Sequence, residues 1–96
     1  MRRLGDSLSE LARSLGIREP DGFARAYAAW PEAVGPAMAA ATRPTGLREG
    51  TLTVEVDGPE WATQLRYLED QLVRVLTERV GSGIVERLRF QVARHR

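Results

Sequence analysis

Apolar positions recur with two different periods along this chain, and the change of period marks its elements. From Thr51 to Asp57 the alternation is strict. Leu52, Val54 and Val56 share one face while Thr51, Thr53, Glu55 and Asp57 share the other, which is the period of a half-buried strand. Glu49-Gly50 before it reads as a hairpin turn, because glycine accepts positive φ at no steric cost. Arg43–Arg48 is then the partner strand. Pro44 has no N–H for a ladder, so that strand is expected to be short or at an edge. Beyond Gly58 the period lengthens. Pro59 suits a first helical position, and Trp61, Leu65, Leu68, Leu72, Val75 and Leu76 make one stripe of roughly 100°. One long amphipathic helix is therefore predicted over Pro59–Val80, stopped by Gly81 and Gly83, with Arg79 in its last turn. Val85–Val92 returns to a period of two, with Leu88, Phe90 and Val92 facing one way and Arg87, Arg89 and Gln91 the other.

Upstream, Leu4, Leu8, Leu11 and Leu15 predict a first amphipathic helix, with Ser7 and Glu10 spaced as a capping box and Gly16 at its end. A second helix opens at Pro20-Asp21 with Asp21 as N-cap, and carries Phe23, Tyr27, Trp30 and Val34 on one stripe. Pro31 disfavours helical geometry at Trp30, so a break or kink is expected there. Pro31 then restarts the helix toward Ala41, with a further kink open at Gly35-Pro36. The small residues Ala37–Ala41 suit close packing on a sheet. The predicted order is α-α-β-β-α-β, a two-layer α+β fold with helices on one face of a three-stranded sheet. A helix separates the last two strands, so a parallel right-handed crossover is expected between them.

Ninety-six residues suit a single domain over 1–96, with 93–96 as a frayed tail. Folding at this size buries roughly 60–65% of the unfolded chain's surface, so the core is modest. There is no cysteine, which removes disulfides and thiolate metal sites and fits a cytoplasmic setting. No apolar run reaches the roughly 20 residues of a membrane helix, and Asp6 and Glu10 interrupt any signal-peptide core. Net charge is +1, which announces no partner, but the charges are unevenly placed. Residues 51–86 hold three arginines and seven acids, whereas 87–96 hold four arginines and no acid. Every basic residue is Arg, whose planar five-donor fork suits phosphate or carboxylate.

Catalytic parts are missing. His95, the only histidine, stands in the terminal tail, and Glu69 and Asp70 point in different directions on a helix. No phosphate loop, metal-ligand spacing or cofactor motif is present, so no catalytic, cofactor or metal residue is assigned. Trp30 reads as core. Trp61 begins the long helix at the rim and reads either as core or, with Leu65, as an anchor for a protein partner. Arg87 and Arg89 stand on the outward face of the last strand, and Arg43 and Arg48 flank the hairpin. These four are the candidate phosphate contacts. The alternative is a solvated face in which Glu55 and Asp57 act as cross-strand partners.

The order Trp30-x-x-x-Val34-Gly35, Thr42-Arg43-Pro44, Leu47-x-x-Gly50-x-Leu52-x-Val54-x-Val56 and Trp61-Ala62-x-x-Leu65 resembles the DciA-like family, from roughly Leu4 to Val92. That family comprises bacterial proteins that load or operate the replicative helicase DnaB. The resemblance implies a KH-like fold, a DnaB-type helicase as partner, DNA contact during loading and no enzymatic activity. Many members extend past the fold in a basic or disordered segment. With the chain ending at Arg96, DNA binding is expected to be weak and salt-sensitive. No two glycines stand three apart, so a KH-type G-x-x-G clamp is excluded. Two other readings stay open: a nucleic-acid module of another process, binding RNA or single-stranded DNA, and a protein-only adaptor. No small-molecule substrate and no membrane is expected.

Overall fold

The computed structural model describes residues 20–93. The predicted helix over Leu4–Leu15, its capping box, and the tail residues Arg94, His95 and Arg96 lie outside them. The described elements are α1 (Pro20–Val34), α2 (Pro36–Ala41), β1 (Thr42–Arg48), β2 (Thr51–Val56), α3 (Pro59–Tyr67), α4 (Glu69–Val80) and β3 (Arg87–Val92). The strands form one mixed sheet in the order β1-β2-β3, with β1 antiparallel and β3 parallel to the central β2. This is the expected α+β architecture, consistent with a small KH-like fold, and the last two strands run parallel as the intervening helices require.

The hairpin forms where the turn residues allow it. Arg48 pairs with Thr51, leaving a two-residue loop in which Glu49 and Gly50 take φ of 51° and 81°. Two successive positive φ values suit the right-handed twist of the flanking strands. The Gly50 carbonyl accepts from the N–H groups of Glu86 and Arg87, at 2.7 and 3.0 Å, and so fixes the start of β3. On β1, Pro44 pairs with Val54 but Gly46 pairs with Thr53, so Thr45 is the extra residue of a β-bulge. Pro44 and the bulge together blunt this exposed edge.

The inner face of the sheet carries the core. Leu52, Val54 and Val56 are fully buried, joined by Leu47 from β1 and Leu88 from β3. Against them pack Phe23, Ala26 and Trp30 of α1, Ala62 and Leu65 of α3, and Leu72 and Leu76 of α4. Burying one such large side chain is worth about 1.5–3 kcal/mol. Trp30 is 2% exposed, and its indole Nε1–H donates to Thr42 Oγ1 at 3.0 Å. The Thr42 hydroxyl in turn donates to the Met38 carbonyl at 2.6 Å. The first residue of β1 thereby satisfies the buried polar atom that a core tryptophan carries.

The helices depart from the sequence expectation in four places. The break expected at Trp30-Pro31 is absent, and α1 runs through Pro31 to Val34. The carbonyl that loses its helical partner belongs to Tyr27, and Tyr27, Ala28, Pro31 and Glu32 are all exposed, so the loss falls on the solvent side of the helix. The interruption comes instead at Gly35, whose φ of 87° ends α1, and Pro36 opens α2. Second, only Ala41 of α2 is buried, so the alanine run contributes less to sheet packing than its size suggested. Third, the long helix over Pro59–Val80 is two helices. Leu68 takes φ −97° and ψ 2°, and its N–H bonds back to Leu65 O at 3.0 Å in a tightened turn. The bend lets α3 lie on β2 and β3 while α4 turns to pack against α1. Asp21 sits within the first turn of α1 rather than before it, where it complements the helix dipole.

Candidate nucleic-acid interface and partner rim

Arg43 and Arg48 are five residues apart, a spacing that puts two side chains on opposite faces of a regular strand. The bulge at Thr45 removes this difference. Pro44 and Leu47 are both buried, so Arg43 and Arg48 both face outward. The outer face can then be followed row by row across the three strands. Arg48, Thr51 and Arg87 form the row nearest the hairpin. Gly46, Thr53 and Arg89 form the next, and Arg43, Glu55 and Gln91 the third. All four candidate arginines thus stand on one face.

They do not stand in one environment. Arg43 donates to Glu55 Oε1 and to Asp57 Oδ1, each at 2.8 Å. The hydrogen bond to Asp57, then that to Glu55, raises its pKa above the ordinary arginine value. The cross-strand pairing that a solvated face would show is therefore present at Arg43. At the hairpin end, Arg48, Arg87 and Arg89 surround Thr51 and Thr53 in an open depression of about 270 Å³, with Glu49 at its edge. Arg87 Nη1 donates to Thr51 Oγ1 at 3.3 Å. The threonines were visible in the sequence as outward positions, but only the register shows that they lie between the arginines.

The two partner candidates separate. Trp61 is half-buried at the start of α3, touching the core with part of its ring and leaving the rest at the rim. Leu65 is fully buried, so as a surface contact it is corrected: its side chain serves the core, one turn further along the stripe. Sequence reasoning missed Tyr67, which lies off that stripe at the α3–α4 corner and is 88% exposed. On the helix side, Val34, Met38, Leu68 and Val75 help line a partly open apolar groove of about 140 Å³. Among the described residues, no group of three His, Cys, Asp or Glu side chains is placed to hold a metal ion. No described helix is long and apolar enough to cross a membrane.

A family model described as Dna[CI] antecedent, DciA, matches residues 3–90 of this chain. A UPF0232 protein of Rhodococcus jostii is 43% identical over 61 residues, covering 64% of this chain and 32% of the relative. One from Mycolicibacterium paratuberculosis is 36% identical over 87 residues, covering 91% and 48%. One from Mycobacterium tuberculosis is 35% identical over 89 residues, covering 91% and 46%. That name states no activity, and the chain spans about a third to a half of the length of these curated relatives.

Proposed function

This chain belongs to the DciA family, and on that premise we propose that it is a non-enzymatic adaptor that binds a DnaB-type replicative helicase and helps place it on DNA in the cytoplasm. The observation that carries the reading is the family match over residues 3–90. The geometry supports it in one further respect. Trp61 belongs to the helix layer, whereas Arg43, Arg48, Arg87 and Arg89 occupy the outer face of the sheet. A protein partner at the first and a nucleic acid at the second would meet different layers and would not compete for the same atoms.

The work in this reading is association, with no bond made or broken. Trp61 offers the helicase a large, rigid apolar surface whose ring is already held by the core, so little side-chain freedom is lost on docking. The arginines offer the DNA a weak electrostatic hold that lets the loaded complex move on.

The test is calorimetry of this chain with the replicative helicase of the same organism at moderate salt. Saturable binding is expected. Trp61→Ala is expected to weaken it by at least about tenfold, or about 1.4 kcal/mol, with the circular dichroism spectrum unchanged. A variant that loses its fold would assign Trp61 to the core. No heat with folded wild-type protein would reduce the family relation to one of fold.

A further inference from the structure

The outer face of the sheet is electrically divided along its strands. At the end away from the hairpin, Arg43 is held between Glu55 and Asp57, so one guanidinium is outweighed by two carboxylates. At the hairpin end three arginines line the depression with one carboxylate, that of Glu49, while the Glu86 carboxylate lies against Gly50. Among the described residues, Arg48, Arg87 and Arg89 have no carboxylate within ion-pair distance.

We infer that the depression between Arg48, Arg87 and Arg89 is a phosphodiester site that grips the backbone of a nucleic acid without reading its bases, and that Arg43 is not part of it. This deepens the DNA contact proposed above and rests on it. The spacing is set by the sheet. Arg87 and Arg89 are two residues apart on one strand, about 6.6 Å, and Arg48 lies two strands from Arg87, about 9.6 Å. Guanidinium forks at those points bind phosphate oxygens bidentately. The hydroxyls of Thr51 and Thr53 lie between them as neutral donors, and the Thr51 hydroxyl already orients Arg87.

The exclusion of bases follows from where the aromatic rings are. Phe23, Tyr27 and Trp30 belong to α1, Trp61 and Tyr67 to α3, and Phe90 alternates with the outward Arg89 on β3 and packs against the core. These are all the phenylalanine, tyrosine and tryptophan residues of the chain. None stands on the outer face, so that face has no aromatic platform on which bases could stack. What remains is charge and hydroxyl, and both address phosphate, in single strand or duplex alike. Three arginines contact at most about three phosphates, which gives log K a slope against log salt of about −2 for a single strand and about −2.7 for a duplex.

Fluorescence anisotropy of the full chain with labelled oligo-dT, oligo-dA and a duplex of equal length, from about 50 to about 200 mM salt, tests this. Oligo-dT and oligo-dA are expected to bind within about twofold of each other, since stacking makes no contribution. The combined Arg48→Gln, Arg87→Gln, Arg89→Gln variant is expected to lose at least about tenfold in affinity and to flatten the salt slope by about 0.7 per arginine on a single strand. Arg43→Gln is expected to stay within about twofold of wild type, because its charge is already offset. The single-strand and duplex affinities at one salt concentration tell which form the site prefers, and a slope near zero on both overturns the inference.

The inference is overturned if the triple variant binds as wild type does, if Arg43→Gln loses as much as the triple variant, or if oligo-dT and oligo-dA differ by more than about tenfold. It is also overturned if the triple variant keeps its oligonucleotides and loses the helicase, which would make this face a protein interface. Calorimetry with the helicase fails or succeeds independently, so the adaptor reading and this site stand or fall separately. An unchanged thermal midpoint, expected for three outward side chains, shows that each variant is folded.

Discussion

The inner and outer faces of the sheet are made from alternate residues of the same strands, and they respond to different constraints. On the inner face Leu52, Val54 and Val56 are fully buried in a core that α1, α3 and α4 complete. Volume is what matters there, because a close-packed interior cannot refill a lost methyl group. On the outer face Thr51, Thr53 and Glu55 are half-buried, and Arg48, Arg87 and Arg89 are exposed. Position and sign of charge are what matter there, and the charges are screened by water. One strand therefore carries a core face and a solvent-facing charged face at once, and the second can change without loss of the first.

The largest expected effect breaks the inner face. Leu65→Ala removes a fully buried side chain and is expected to cost about 2–5 kcal/mol, read as a lower denaturant midpoint at unchanged slope. A cost under about 1 kcal/mol would mean that the site collapses freely and that Leu65 is not core. Next comes the seam where the core meets β1. Thr42→Val leaves the indole N–H of Trp30 and the carbonyl of Met38 without their partner, an expected loss of about 1–3 kcal/mol in the same assay.

The smallest effect lies outside. Arg43→Gln removes two partly exposed ion pairs, each worth about 0–1 kcal/mol and less in high salt. The pH dependence has a definite sign. Asp57 first and Glu55 second raise the Arg43 pKa, so its contribution is full below the ordinary arginine value and is lost only as pH rises past the raised one. Unfolding followed into strongly alkaline solution should show no loss from this group before that range. An Arg43→Gln cost as large as that of Leu65→Ala would erase the contrast between the faces.

How far the sequence could be read depended on how local the cause was. The hairpin was legible because its turn is decided by two residues, and Glu49 and Gly50 take the positive φ values that a glycine-containing turn allows. The end of α4 was legible for the same reason, since Gly81 sits at φ 104°. The continuity of α1 was not. Pro31 counts as a helix breaker unless the carbonyl it strands faces water, and that depends on which side of α1 meets the sheet. The bend at Leu68 left no mark either, because neither proline nor glycine makes it. Of the candidate site, the outward direction of Arg87 and Arg89 followed from alternation alone. The different fates of Arg43 and Arg48 did not.

By itself the sequence determined the periods, and the periods determined which side chains share a face, where the chain turns and that it folds as helices on a mixed sheet. Those are consequences of φ, ψ and the reach of a few neighbouring residues. The tertiary structure alone decided that Thr45 bulges, that Arg48 therefore joins Arg87 and Arg89, that Arg43 is neutralised by Glu55 and Asp57, and that Leu65 is sealed while Trp61 reaches the rim. Each of these depends on the register of one strand against another, or on one layer against the next. Such contacts join residues far apart in the chain, and the free energy that selects them exists only once the layers have met.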